Sequence, residues 1–197
     1  MGTNKLRNLI SKSKLFTAIA ALAILASSKS FADSEFSLGL GVFNIEASNS
    51  SGSSSISDWG EFKFTYAIPI TEKIVFWPGY SIYVPGGNIS DIGHGLDIEF
   101  AYFPMSLSAR YNAKSSQGSW LSYDSIRPFV SISFNLRSYQ SIQSEYAGVG
   151  FAGGAEYQTS PNYFFFGKIA YLLLSGPLDS SLNELQMLLG AGYYLED

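Results

Sequence analysis

Gly60-Glu61-Phe62-Lys63-Phe64-Thr65-Tyr66-Ala67-Ile68 is the stretch that decides how this chain folds. Phe62, Phe64, Tyr66 and Ile68 share one parity, and Glu61, Lys63, Thr65 and Ala67 share the other. Successive side chains of a β-strand point to opposite faces, so the segment reads as a strand with one apolar and one polar face. Residues 94–102 repeat the pattern, with Leu96, Ile98, Phe100 and Tyr102 set against Gly95, Asp97, Glu99 and Ala101. In 126–137, Ile126, Val130, Ile132, Phe134 and Leu136 alternate with Arg127, Ser131, Ser133, Asn135 and Arg137.

Extended along the chain, the alternation predicts eight strands, over 35–46, 59–69, 74–84, 94–112, 125–137, 146–158, 162–174 and 184–195. No long amphipathic helical pattern interrupts them. Predicted long connections follow the first strand (47–58, mostly Ser, Asn and Gly), the third (85–93), the fifth (138–145) and the seventh (175–183). Short ones follow the second (Ile70-Thr71-Glu72-Lys73) and the sixth (Thr159-Ser160-Pro161). Short turns at one end and longer loops at the other are the habit of transmembrane barrels. Segment 94–112 is long for one strand, and its parity slips near Pro104, after which Met105, Leu107, Ala109 and Tyr111 alternate on odd positions. A bulge shifts parity by one residue and tolerates proline. A tight hairpin at Phe103-Pro104 would instead give nine strands. The even strand numbers of bacterial barrels favour the bulge.

The first 32 residues differ from the rest. Lys5, Arg7, Lys12 and Lys14 precede the 12-residue apolar run Leu15–Ala26, and Ser30-Phe31-Ala32 follows with small residues at its first and third positions. This is the layout of a secretory signal peptide. The run is too short for a membrane-spanning helix, which needs roughly 20 residues. Residues 1–32 are therefore expected to be a cleaved leader and 33–197 one barrel domain. N-terminal sequencing of protein from the cell envelope should begin at Asp33; an intact Met1 on the assembled protein would refute the cleavage.

Five of the 12 basic residues lie in the leader, and none of the 16 acidic ones do, so residues 33–197 carry seven basic against 16 acidic side chains, net −9. An acidic export product lacks the basic footprint of a nucleic-acid binder. There is no cysteine, hence neither a disulfide framework nor thiolate chemistry.

The polar strand faces hold Glu61, Asp97, Glu99, Glu156 and Glu184 against Lys63, Arg110, Arg127, Arg137 and Lys168. A narrow interior must pair its charges, because an isolated ion in low dielectric is costly. The interior of eight strands is just wide enough for side chains to fill. The balance predicts a plugged, salt-bridged lumen with the apolar faces toward lipid. Trp59, Tyr102, Tyr111, Tyr157, Tyr163, Tyr193 and Tyr194 lie near strand ends, where interfacial aromatic girdles form. Glycines on polar-face positions, among them Gly150, Gly190 and Gly192, suit a crowded lumen. In the seventh strand Phe164, Phe166, Leu172 and Leu174 would point inward beside Lys168, against the simple pattern.

Arg127-Pro128-Phe129-Val130 opening a strand resembles the Arg-Pro-Tyr-Val start of the opacity-like and OmpA-like small outer-membrane barrel families. Gly154-Ala155-Glu156-Tyr157, a short turn and Asn162-Tyr163 resemble strands near the end of those barrels. Gly190-Ala191-Gly192-Tyr193-Tyr194-Leu195 resembles the terminal signal read by the barrel-assembly machinery. It departs from that signal in Glu196-Asp197, which follow where an aromatic residue usually ends the chain, and in Leu188, where a polar residue is usual. The resemblance implies an all-β, eight-stranded, antiparallel, up-and-down transmembrane barrel in a Gram-negative outer membrane. Its surroundings there would be outer-membrane lipid and lipopolysaccharide. It carries no catalytic residue.

Chemistry is sparse. His94 is the only histidine; Ser90, Asp91 and Asp97 are near it in sequence, so a Ser/His/Asp site can be drawn, but such triads are defined by geometry. Lipid A deacylases carry a His-x-Ser-Asn motif late in the chain, which is absent here. One histidine without cysteine argues against zinc. Asp97 and Glu99 are explained by lumen pairing, and Gly148-Val149-Gly150 with Gly153-Gly154 is no phosphate loop, lacking the following helix and Lys-Ser/Thr. No catalytic, cofactor-binding or metal-ligating residue is assigned, and no cofactor is expected. The expectation is a non-enzymatic barrel serving envelope integrity or surface interaction through its external loops. The alternatives are a lipid-modifying enzyme of the outer membrane and a lipocalin-like carrier with an apolar interior.

Overall fold

The computed structural model describes residues 35–49, 52–71, 73–84, 92–104, 126–139, 144–160, 162–177 and 179–195. The leader 1–32 lies outside them. Eight strands follow one another: β1 (Glu35–Asn49), β2 (Gly52–Pro69), β3 (Ile74–Tyr83), β4 (Gly93–Tyr102), β5 (Ile126–Tyr139), β6 (Ser144–Gln158), β7 (Tyr163–Ser175) and β8 (Ser181–Tyr194). Each pairs antiparallel with its sequence neighbour, and β1 closes on β8 from Glu35↔Tyr194 to Ser48↔Ser181. Closure leaves the sheet without a lateral edge, which is how a β-structure satisfies its backbone inside lipid. Both strand termini, Glu35 and Tyr194, lie at one end of the barrel, called here the terminal end.

Three sequence expectations need correcting. The Ser-rich stretch predicted as loop 47–58 is mostly strand, because β1 runs to Asn49 and β2 starts at Gly52. Ladder hydrogen bonds need only backbone, so pairs such as Ser48↔Ser53 continue the hairpin without an apolar face. Gly60 takes the extra position in this ladder: φ is +134°, and the pairing steps from Gly41↔Glu61 to Val42↔Trp59. The extra residue shifts the parity of β2 by one, so that odd positions of β1 pair with odd positions of β2 from Glu61 on and with even ones up to Asp58. Second, the fourth strand stops at Tyr102 instead of reaching 112. Tyr102 already pairs with both Ile74 and Val130, so β4 is complete on both sides without a bulge or hairpin at Pro104. Met105 to Tyr111, including Arg110, lie outside the described residues.

Third, connection lengths do not sort by end. The longest, 103–125, sits at the terminal end with the short turns 70–73 and 159–162. At the far end, 50–51, 140–143 and 176–180 are brief and only 84–92 is longer. The two short terminal-end turns are closed by backbone bonds: Thr71 N–H donates to the Ile74 carbonyl, and Thr159 N–H to that of Tyr163.

Alternation decides the two faces as expected. Phe62, Phe64, Leu96, Phe100, Val130, Ile132, Phe151, Phe165 and Leu189 are exposed on the outer wall, Phe64 by 60% and Leu189 by 72%. Their odd or even neighbours face inward, buried or half-buried, and every strand-borne charge of β2 and β4–β8 named for the polar face is buried. An apolar outer wall around a charged interior inverts a soluble protein and makes the wall a bilayer-spanning belt. It also removes the lipocalin-like reading, which requires an apolar interior. At the terminal end Tyr102, Tyr163 and Tyr193 point outward, and Tyr163 and Tyr193 touch edge-on at 5.0 Å. Tyr194 is not part of this girdle; it turns inward, is buried, and packs on Phe164 with ring centroids 4.6 Å apart.

Candidate functional site

The lumen is where the described strands bring the charged side chains of the polar faces together. β2, β4, β5 and β8 supply its main cluster. Lys63 Nζ lies 2.5 Å from Asp97 Oδ2, and Arg137 Nη1 lies 2.5 Å from Asp97 Oδ1. Arg137 Nε reaches Glu184 Oε2 at 3.2 Å, so one guanidinium serves two carboxylates on different strands. A second cluster joins Lys168 to both oxygens of Glu99, where the Ser131 hydroxyl also donates at 2.5 Å. A third pair, Arg127 and Glu156 at 2.6 Å, belongs to neighbouring β5 and β6 positions. These side chains are almost entirely removed from solvent.

Apolar layers flank this charge. Toward the terminal end, Ala67, Val75, Trp77, Ala101, Phe103 and Phe129 form one cluster, with Trp77 edge-on to Phe103 and Phe129 at 5.7 and 4.9 Å. The Arg127 guanidinium sits 4.5 Å above the Phe103 ring. Toward the far end, Phe43, Ile45, Tyr83, Tyr139, Tyr146, Leu172, Leu174 and Leu182 form the other. The inward apolar residues of β7, anomalous in the sequence, thus belong to the packing that seals the ionic layer. Glycine makes room for them. A Cβ on Gly192 would come 2.1 Å from the Phe164 ring, and one on Gly190 2.4 Å from Phe166. A cavity of about 30 Å³ between Lys63, Glu99, Glu156, Lys168 and Phe166 has room for only one or two waters.

Parity in the sequence finds nine of the ten expected lumen charges inside; Arg110 lies outside the described residues. It misses three important occupants. Glu35, at the very start of β1, is buried inward, as are Gln186 and Tyr83. Gln186 has the parity of Glu184, a signal that was available. Tyr83 looks like an interfacial residue until its inward parity is followed.

Of the hydrolase-like residues, the strand keeps His94 and Asp97 apart. His94 and Asp97 are three positions apart on one strand and therefore on opposite faces. His94 lies on the outer wall, where Nδ1 is 2.7 Å from the Tyr80 hydroxyl, whereas Asp97 is buried in the lumen. Ser90 and Asp91 are outside the described residues. Among the described residues no group of three acidic, His or Cys side chains could hold a metal ion.

No family model matches the chain, and no curated protein matches it in sequence. Solved structures do match. The crystal structure of Neisserial surface protein A superposes with a TM-score of 0.54 at 15% identity, covering 80% of this chain and 96% of that one. The chain has the fold of the small outer-membrane β-barrels. The N-terminal barrel domain of Pseudomonas aeruginosa OprF gives a TM-score of 0.47 at 13% identity, covering 80% of this chain and 96% of that one. The attachment invasion locus protein Ail of Yersinia pestis gives a TM-score of 0.42 at 12% identity, covering 82% and 99%. The barrel fold carries no chemistry of its own.

Proposed function

We propose that the protein is a non-enzymatic barrel of the outer membrane, closed to solutes, that serves envelope integrity or surface interaction through its external loops. The observation that carries this reading is the lumen: charge pairs fill its middle, and apolar layers flank them. A solute path would need water along the axis, and the packed rings leave none of useful width. The wall is then the part in contact with outer-membrane lipid and lipopolysaccharide, and the barrel-assembly machinery is the partner during insertion. The separation of His94 from Asp97 onto opposite faces supports the non-enzymatic side of the proposal.

Planar-bilayer recordings of the refolded protein should show no large, stable, ohmic conductance. A steady porin-sized current from the monomer would overturn the closed-lumen reading. Incubation with lipopolysaccharide separates the enzymatic alternative: release of acyl chains that is lost in His94→Ala would replace this proposal with a lipid-modifying activity.

A further inference from the structure

Asp97, Glu99, Glu156 and Glu184 each have a cation within ion-pair distance. Glu61 is as deeply buried, at 0% exposure, yet among the described residues it has none. Its Oε1 accepts from Gln186 Nε2 at 3.2 Å, and its Oε2 faces no donor. The same Gln186 nitrogen lies 2.7 Å from Glu184 Oε1 and 2.7 Å from the Tyr83 hydroxyl. An amide NH₂ has two hydrogens. Here three oxygens crowd it, two of them from carboxylates.

The charge around this point is short by one. β2 contributes Glu61 and Lys63, β3 Tyr83, β4 Asp97, β5 Arg137 and Tyr139, and β8 Glu184. Three carboxylates thus meet two cations, both already engaged: Lys63 by Asp97, and Arg137 by Asp97 and Glu184. β1, β6 and β7 add no charge to the apolar layer beside it, contributing Phe43, Ile45, Tyr146, Ala170, Leu172 and Leu174. A bare carboxylate does not persist in such a setting; it acquires a positive charge.

We propose that Glu61 binds a proton in the folded barrel, as a neutral carboxylic acid placed between Glu184, Gln186 and Tyr83. A proton fits better than a metal ion, since the described residues offer no three-ligand group. The bound proton removes the surplus charge and supplies the missing hydrogen. Because the unfolded chain exposes Glu61 to water and ionises it at neutral pH, the folded state holds one more proton. Folding stability then falls as pH rises.

Glu61→Gln is isosteric with the acid form and tests this. In lipid vesicles at neutral pH, E61Q should be at least as resistant to urea unfolding as the wild type and should show a flatter loss of stability on the alkaline side. E99Q, which breaks a real ion pair, should be clearly weaker. Infrared spectra of the refolded wild type should contain a carboxylic-acid C=O band that is absent from E61Q. An E61Q barrel as unstable as E99Q, or a wild type without that band, would overturn the proposal. So would a wild-type stability that tracks sodium at fixed pH and loses this dependence in E61Q, which would put a metal cation in place of the proton.

Discussion

Arg137→Ala is expected to destabilise the barrel by about 3–5 kcal/mol, the cost of breaking a buried ion pair by removing one partner. Arg137 is the hub of the lumen. It lies between Asp97 and Glu184, and its guanidinium carbon is 5.3 Å from the centre of the Tyr83 ring. Its removal leaves Glu184 with no cation and leaves Asp97 with Lys63 alone, in a region screened from water on both sides. Charge-assisted hydrogen bonds of this kind lose most when one end is left behind. The measurement is urea unfolding in vesicles, followed by the heat-sensitive shift in gel mobility. Arg137→Met combined with Glu184→Gln should recover part of the loss, since it removes a carboxylate along with the arginine side chain's charge. An Arg137→Ala barrel as stable as the wild type would mean that the lumen is wet and its charges are solvated.

This centre of gravity was only partly legible in the sequence, for physical reasons. Alternation is forced wherever a strand separates lipid from a packed lumen, so Glu61-Phe62-Lys63-Phe64 and Asp97-Ile98-Glu99-Phe100 could be assigned to faces directly. Who pairs with whom was not legible. Lys168 and Glu99 stand 69 positions apart and meet only because the barrel closes. The Ser-rich hairpin was hidden because a ladder needs only backbone bonds, and nothing in Gly52-Ser53-Ser54-Ser55 distinguishes paired from unpaired chain. The opposite error occurred after Phe103. Met105, Leu107, Ala109 and Tyr111 keep a strand-like alternation past the point where β4 has run out of partners. An apparent five-to-five charge balance also concealed the shortage at Glu61, since balance over a whole lumen says nothing about local pairing. The inward run of β7 is visible in the sequence, but its fit depends on the β7–β8 register, which sets Gly190 and Gly192 opposite Phe166 and Phe164.

Phe64→Arg is expected to cost about 2–4 kcal/mol, the range for arginine on the lipid face of a barrel near the midplane. Phe64 stands in the middle of the wall portion of β2, paired across the ladder with Leu38 on one side and Tyr80 on the other, all three exposed outward. An arginine there would have to hold its charge in hydrocarbon or bend its stem toward an interface, with no carboxylate beside it on the outer wall. Phe64→Leu should cost little, which separates the charge from lost aromatic area. The face itself can be mapped independently: cysteines at 62, 64, 98 and 100 should react with a lipid-soluble probe and resist a water-soluble one. The neighbouring positions 61 and 63 are sealed in the lumen, and cysteines there should resist both until the barrel is unfolded. Ready labelling of 62 and 64 by the water-soluble reagent alone, together with a neutral Phe64→Arg, would reverse the two faces and put the charged network on a solvated exterior, where its pairs would be worth little.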